Sequence, residues 1–207
     1  KMMKNKNYST QKDLSRLEIF ISNLNIQYKH HHVFNNFEFH LPFNQWTCLL
    51  GPSGSGKTSL LRFIAGLQPY EEEIAYSGNI NVPDNKSLDG KITYITQQDS
   101  LLPWLSVIDN VLLGFHLRNK KITNDLKHKA ENLLKESELV GISKLKPHQL
   151  SQGMKQRVTL VRSIIENRPI ILMDEPFSAL DAITRVKIQN LASKLFSNHT
   201  VLFVTHD

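Results

Sequence analysis

The 207-residue sequence contains a single cysteine, Cys48, and no uninterrupted apolar run of about 18 residues. One cysteine cannot form an intramolecular disulfide, which argues against a disulfide-stabilised secreted domain and indicates a reducing compartment. Without a long apolar run, no segment is expected to cross a membrane as a helix. Net positive charge is also small beyond the N terminus, because residues 1–16 carry +4 of the net charge of +6.

We interpret residues 1–16 as a disordered basic tail, since polar, lysine-rich termini are more often frayed than bound to nucleic acid. Nucleic acid is therefore not an expected partner. The remaining residues, 17–207, have enough length for one sizeable core, and the whole sequence is 40% hydrophobic and 21% charged, as in an ordinary globular protein. Three histidines at 30–32 are expected to form a polar turn and not a metal site.

Strand and helix patterns alternate along the chain. "RLEIFISNLNIQY" and "VFNNFEFHLPF" predict half-buried antiparallel strands, because apolar and polar residues alternate in them. "WTCLL" and "PIILMDE" predict buried strands, and "KITYIT" and "TVLFVTHD" predict two further strands. Helical spacing follows Lys57, recurs within 101–150 and in "GMKQRVTLVRSIIEN", and covers about 182–196. This order predicts an α/β fold with a mostly parallel sheet and an inserted helical lobe at about 101–150.

A glycine-rich loop, "GPSGSGKTS", lies between the predicted strand "WTCLL" and the next helix. It matches the pattern G-x-x-x-x-G-K-[ST], in which glycines let backbone N–H groups converge on a phosphate. The helix adds free amide donors and the positive end of its dipole. We expect Lys57 to contact the β- and γ-phosphates and Thr58 to bind Mg²⁺. The predicted nucleotide-binding residues are Gly51, Pro52, Ser53, Gly54, Ser55, Gly56, Lys57, Thr58 and Ser59.

A phosphate loop of this kind needs a metal-binding carboxylate at the end of a neighbouring strand. "IILMDEP" provides Asp174 after four apolar residues, and Glu175 follows it directly. Asp174 is the expected Mg²⁺ partner, acting through a water molecule. Glu175 is then placed to polarise a water molecule in line with the γ-phosphate.

Three further segments identify a family. "LSQGMKQRV" (150–158), "DEPFSALD" (174–181) and "FVTHD" (203–207) resemble, in order and spacing, the signature sequence, the Walker B motif with its D-loop, and the switch histidine of ABC-type ATPases. The resemblance runs from about residue 17 to the end of the chain. It implies a P-loop NTPase fold with an N-terminal antiparallel β subdomain, and ATP hydrolysis with Mg²⁺.

The resemblance also implies an assembly, because ABC ATPase domains act as head-to-tail pairs with two ATP molecules between them. A second copy of this chain is then the expected partner. Ser151, Gln152 and Gly153 would face the ATP held by the opposite subunit, and Asp181 would cross the interface. Gln152 stands where the family usually has glycine, and we expect it to weaken this contact without abolishing it.

Three more residues take roles from the family. His206 would hold the γ-phosphate and the attacking water, and Gln97 would contact Mg²⁺ and join the site to the helical lobe. Tyr28 would stack on adenine, although an ordinary tyrosine at a strand end remains an alternative. The C-terminal end is expected to be truncated or short, since the family usually continues past the switch histidine.

"LLPW" after the predicted Gln97 loop resembles importer ATPases of the nitrate, sulfonate and taurine group. Within that group the chain looks closest to the importer subunit for hydroxymethylpyrimidine, a thiamine precursor. Separate integral-membrane permease subunits would form the transport path, and an extracytoplasmic solute-binding protein would act indirectly. The expected location is peripheral, on the cytoplasmic face of the bacterial inner membrane. Trp104 would lie near the permease contact, or alternatively pack in the lobe's own core.

Two other functions compete with that of an importer ATPase. A soluble ABC ATPase for DNA repair or translation normally carries a long coiled coil or a second ATPase domain, and neither fits into 207 residues. An ATP-dependent dimerisation switch with little turnover is the remaining alternative. Glu175 and His206 argue against it, because both are residues that turnover requires.

Overall fold

A computed structural model describes residues 17–29, 31–67, 74–98 and 100–206; the predicted tail 1–16 and residue 207 lie outside this part of the chain. The strands are β1 (Ile19–Tyr28), β2 (His31–Leu41), β3 (Trp46–Leu50), β4 (Ile74–Asn81), β5 (Ile92–Ile95), β6 (Ile170–Asp174) and β7 (Thr200–Thr205). The helices are α1 (Lys57–Ile64), α2 (Val107–Val111), α3 (Leu113–Leu117), α4 (Asn124–Glu136), α5 (Gln152–Ile165) and α6 (Ala182–Leu195).

The N-terminal strands form an antiparallel sheet in the order β2-β1-β4. Alternation in β1 buries Ile19 and Ile21, and a register shift after Ile21 moves the buried positions by one residue, to Leu24 and Ile26. Ile19 pairs with Leu41 of β2, which is equally buried, so the register is fixed by the apolar face. The predicted half-buried antiparallel strands are confirmed.

The second sheet is parallel, in the order β3-β7-β6-β5. Its inner strand β6 is buried at all five positions, as its continuous apolar run predicts. Because every strand points the same way, the segments after β3, β5, β6 and β7 all emerge at one edge of the sheet. Ligands of open α/β sheets bind at this carboxyl edge.

The prediction of a buried strand was wrong for "WTCLL". The segment is strand β3, but β3 is an outermost strand of the described parallel sheet, next to β7, and Cys48 is exposed. Trp46 is 40% and Leu50 66% exposed, whereas Thr47 and Leu49 on the other face are half-buried. An apolar run gives no information on whether both faces of a strand are covered.

Helices α2, α3 and α4 lie within 101–150 and pack around a core of their own, which includes Val107, Val111 and Leu134. Val158 and Val161 of α5 belong to the same core, so α5 joins this lobe to the parallel sheet. The helical pattern at 107–118 is two short helices that meet at Leu112. Across residues 17–29, 31–67, 74–98 and 100–206, no helix has the length and apolar character that a bilayer crossing requires.

Candidate functional site

The carboxyl edge of the parallel sheet opens into a cleft of about 990 Å³, here called the phosphate-loop cleft. Segments from both sheets and the N terminus of α1 form its walls. Most of the residues predicted from sequence line it: Tyr28, Ser53, Gly54, Gly56, Lys57, Thr58, Ser59, Gln97, Asp174, Glu175 and His206. Gly51, Pro52 and Ser55 belong to the same loop, within which the Ser55 N–H donates to the Pro52 carbonyl at 3.3 Å.

The loop conformation depends on Gly56, which has φ of 88° and directly precedes α1. A Cβ at this position would overlap the Val33 side chain and lie 2.9 Å from the Phe34 ring, both on β2. Glycine is therefore required by both the positive φ and the close approach of β2. Since Gly56 offers no capping side chain, the first N–H groups of α1 remain free to bind a phosphate.

Lys57 is only 7% exposed and its ammonium group lies inside the loop. Its Nζ donates to the carbonyl of Gly51 at 2.7 Å and to that of Pro52 at 2.8 Å. These bonds hold the positive charge at the centre of a cradle built from backbone groups. Such an arrangement suits a phosphate, which accepts from N–H donors and from the ammonium together.

Thr58 and Asp174, the two residues predicted to hold Mg²⁺ at the loop and at the end of β6, lie in contact. The Thr58 hydroxyl donates to Asp174 Oδ1 at 3.0 Å, although the two residues are 116 positions apart. A hydroxyl and a carboxylate provide the hard oxygen ligands that Mg²⁺ prefers, so this donor set fits the ion.

Sequence reasoning missed Tyr94, whose hydroxyl donates to Asp174 Oδ2 at 3.0 Å. Burial, with the Asp174 carboxylate beside it, raises the pKa of Tyr94. Tyr94 therefore stays protonated and able to donate at neutral pH. Its place on the strand next to Asp174 was a signal, but an aromatic residue in a strand is usually core.

The two predicted catalytic residues Glu175 and His206 lie together, with Oε2 and Nδ1 2.8 Å apart. Glu175 has φ of 46°, a strained value for a residue that is not glycine, directly after β6. Its N–H donates to the Val204 carbonyl of β7 at 3.1 Å, which anchors the backbone while the side chain faces the cleft. The carboxylate and imidazole can thus act on the same water molecule or phosphate oxygen.

Gln97 lies on the cleft wall, and its side-chain amide donates to Ser178 Oγ at 3.2 Å. The Ser178 hydroxyl in turn donates to the Glu175 carbonyl at 3.0 Å. A chain of two hydrogen bonds therefore joins the predicted Gln97 loop to the end of β6. Sequence reasoning did not single out Ser178.

Tyr28 is half-buried at the end of β1, and its hydroxyl lies 2.8 Å from Ser59 Oγ. This contact fixes the ring at the mouth of the cleft, where His31 and Val33 lie beside it. The prediction of a polar turn at 30–32 was wrong for residues 31 and 32, which belong to β2. Residue 30 lies outside the described residues.

The remaining predicted residues form a second, separate surface, here called the signature surface: Ser151, Gln152, Gly153 and Asp181. They line a hollow of about 380 Å³ that also includes Leu180 and Thr184. Ser151 caps α5 by accepting from the Met154 N–H at 3.3 Å, and Asp181 caps α6 by accepting from the Thr184 N–H at 3.0 Å. Ser151, Gln152 and Asp181 are exposed.

Gly153 has a structural role that sequence reasoning missed. A Cβ on Gly153 would lie 3.0 Å from the Thr184 methyl group of α6. Glycine thus lets the first turns of α5 and α6 approach closely.

The loop that carries Trp104 is held by a buried amide. Asn110 is fully buried; its Oδ1 accepts from the Leu102 N–H at 2.8 Å, and its Nδ2 donates to three carbonyls, of Leu102, Leu105 and Ser106. Trp104 itself is 66% exposed, so the alternative that it packs in the lobe's own core was wrong.

Comparisons with known proteins point in one direction. The family model described as "ABC transporter" matches residues 34–178. An aliphatic sulfonates import ATP-binding protein of Streptomyces avermitilis is 38% identical over 94% of this chain and 72% of its own length. A protein of the same name from Paracoccus denitrificans is 41% identical over 84% of this chain and 67% of its own length.

Solved structures show the same fold. A metal-chelate type ABC transporter in an inward-facing conformation has a TM-score of 0.74 at 28% identity, covering 93% of this chain and 73% of the other. A dimeric bacterial ABC transporter cassette has a TM-score of 0.73 at 31% identity, covering 91% and 88%. The predicted α/β fold of the ABC ATPase type, with its parallel core sheet and antiparallel β subdomain, is confirmed.

Proposed function

The chain belongs to the ABC transporter family, and we propose that it hydrolyses ATP to drive import of a small solute by closure of a dimer. The observation that carries this proposal is the convergence of Lys57, Asp174, Glu175 and His206 in one cleft. These are a phosphate-binding cation, a metal-binding carboxylate and an acid–base pair, which together are what ATP hydrolysis needs.

Within the cleft, each side chain has a proposed task. Lys57 and the loop N–H groups bind the β- and γ-phosphates. Thr58, Asp174 and Gln97 would hold Mg²⁺, which neutralises phosphate charge when it is bound.

Hydrolysis itself is assigned to the pair at the end of β6 and β7. Glu175 accepts a proton from the attacking water, and His206, 2.8 Å from it, orients that water and the γ-phosphate. Tyr28 stacks on the adenine ring at the mouth of the cleft, where its ring is fixed by Ser59.

The signature surface is proposed to complete the site of a second copy of the chain. Ser151, Gln152 and Gly153 begin α5, whose N terminus favours an anion. Asp181 at the start of α6 would contact the partner's phosphate loop. The similarity to a dimeric transporter cassette supports this arrangement.

The experiment that tests the proposal is Glu175→Gln with Mg-ATP, followed by light scattering beside the wild type. Loss of the base should slow hydrolysis and trap an ATP-dependent dimer, with no dimer in ADP. Persistence of monomer in a variant that binds ATP would contradict closure of the isolated chain.

We propose that the solute is an anion of the sulfonate, sulfate or nitrate type. The support is the names of relatives, which are sulfonate importers and, at 37% identity over 92% of this chain and 55% of the relative, a sulfate/thiosulfate import protein of Mannheimia succiniciproducens. These names lend no support to the thiamine precursor. Transport by the complete system of purified subunits in vesicles, with taurine, sulfate and hydroxymethylpyrimidine as competing solutes, decides between them.

The Trp104 loop is the proposed contact with the permease subunits, at the cytoplasmic face of the inner membrane. An exposed indole on a loop fixed by Asn110 presents apolar area with little entropy to lose on binding. Trp104→Ala should spare ATP binding but impair assembly with the permease. Unaltered transport by this variant would contradict the contact. An extracytoplasmic solute-binding protein would act through the permease.

A further inference from the structure

The carboxylate of Asp174 is held from two sides. The Thr58 hydroxyl donates to Oδ1 and the Tyr94 hydroxyl donates to Oδ2, each at 3.0 Å. Tyr94 lies on β5 and Asp174 ends β6, the neighbouring parallel strand, so the second contact is built into the sheet. Neither oxygen is left to solvent alone, because Asp174 is only 9% exposed.

The two donors differ in whether they are themselves proposed to hold the metal. Thr58 and Asp174 are both proposed to hold Mg²⁺, and the Thr58 hydroxyl can offer a lone pair to the metal while its proton stays on Oδ1, so this donor is part of the metal site. Tyr94 donates to the other oxygen and is not itself proposed to hold the metal, so its bond leaves Oδ1 available to the metal site. A donor to the far oxygen fixes the rotation of a ligating carboxylate, which is how outer contacts tune metal sites.

We propose that Tyr94 is a positioning residue that keeps Asp174 Oδ1 directed at Thr58 and at the metal, a role that rests on the proposed function. The role belongs to the hydroxyl and not to the ring. If Tyr94 served only to fill space between β5 and the cleft, phenylalanine would replace it without consequence for the metal.

The test is Tyr94→Phe, compared with Thr93→Val on the same strand. Thr93 points to the opposite face, and its buried hydroxyl has no hydrogen-bond partner among the described residues. Both variants thus remove one hydroxyl from β5, but only the Tyr94 hydroxyl contacts Asp174. Binding of a fluorescent ATP analogue is measured as Mg²⁺ is titrated, and again in EDTA.

For Tyr94→Phe we expect the Mg²⁺ concentration at half-maximal effect to rise about tenfold, the lower end of the losses seen when outer contacts of a metal site are removed. Affinity in EDTA should stay within about twofold of wild type, and Thr93→Val should match wild type in both titrations. The readout is the ratio of the nucleotide affinity with Mg²⁺ to the nucleotide affinity in EDTA, and measuring it does not require ATP hydrolysis.

Two results would overturn the positioning role while leaving the proposed function intact. One is a Mg²⁺ titration of Tyr94→Phe that coincides with wild type. The other is an equal loss of affinity with and without Mg²⁺, which would mean a general structural defect. If wild type itself shows no Mg²⁺-dependent nucleotide binding, the proposed function fails, and the role of Tyr94 fails with it.

Discussion

The phosphate-loop cleft and the signature surface both contain hydroxyl and carboxylate side chains next to a helix N terminus, but these side chains differ in burial and in hydrogen-bond partners. In the cleft, Lys57 and Asp174 are buried and Thr58 is half-buried, and they bond to groups distant in sequence or across the loop. On the signature surface, Ser151 and Asp181 are exposed, and each bonds an N–H three residues ahead. The Thr58–Asp174 hydrogen bond of the cleft therefore joins distant parts of one chain, whereas the hydrogen bonds of Ser151 and Asp181 stay within the first turn of their own helices.

The helix N termini show the same contrast. Helix α1 is preceded by Gly56, which provides no side-chain cap, so its first N–H groups are open to a ligand. Helices α5 and α6 are preceded by Ser151 and Asp181, whose side chains cap them. A phosphate can enter the first site directly. At the second site a ligand meets hydroxyl and carboxylate groups that already satisfy part of the helix end.

The largest effect should come from the cleft, with Lys57→Ala. The change removes the buried cation, and with it the Nζ donor to the Gly51 carbonyl and one of two donors to the Pro52 carbonyl, which keeps the Ser55 N–H. Loss of a single preorganised electrostatic contact costs about 100- to 1,000-fold in rate, and we expect hydrolysis to fall at least that far. Phosphate release measures the rate of hydrolysis, and a fluorescent ATP analogue measures nucleotide binding. Near-normal turnover would refute the phosphate-cradle role.

Mixed dimers of a cleft variant and a signature-surface variant test whether the two surfaces meet across a dimer. Ser151→Arg should also abolish hydrolysis, because it places a long side chain at the proposed interface. If the two surfaces meet across a dimer, mixed dimers of Lys57→Ala and Ser151→Arg contain one intact pair of surfaces. Part of the activity should then return on mixing. No recovery in a mixture shown to form mixed dimers would argue that each chain works alone or that both sites must be intact.

A smaller effect separates two glycines of the phosphate loop. Gly56→Ala should lower the free energy of unfolding by about 3 kcal/mol, from left-handed strain plus overlap with Val33. Gly54, at φ of 81°, has nothing within 4 Å of an added Cβ. Gly54→Ala should cost only the strain, about 1 kcal/mol. Urea denaturation measures the free energy of unfolding of both variants. Equal losses would show that the close approach of β2 to Gly56 does not contribute to the cost of the substitution.

Sequence predicted the cleft better than its surroundings, for physical reasons. Lys57, Asp174 and Glu175 follow apolar strands at fixed spacing, so the parallel sheet brings them together automatically. The Tyr94 hydroxyl and the Ser178 bridge were missed because no motif assigns these residues a role, and their partners Asp174 and Gln97 lie 80 and 81 positions away. The burial of "WTCLL" was overestimated because an apolar strand gives no sign of being at an edge.

The smallest effect concerns the charge of Asp181 on the signature surface. A hydrogen bond from the Thr184 side chain, which is the larger cause, and one from the Thr184 N–H hold the pKa of Asp181 below its ordinary value. The stability this contributes is fully present above the unfolded pKa of about 3.9 and is lost as pH falls through the lower folded pKa. Asp181→Asn keeps an oxygen that can cap α6 and removes only the charge.

Thermal unfolding without nucleotide should therefore place Asp181→Asn slightly below wild type at pH 7. The difference should stay constant down to about pH 5 and close below pH 4, where Asp181 becomes protonated. A gap that persists unchanged into acid would mean that the charge is not its source. Because Asp181 is exposed, the local gain is small, and a much larger effect of the same substitution on Mg-ATP-dependent dimerisation would show that its charge acts mainly across the interface.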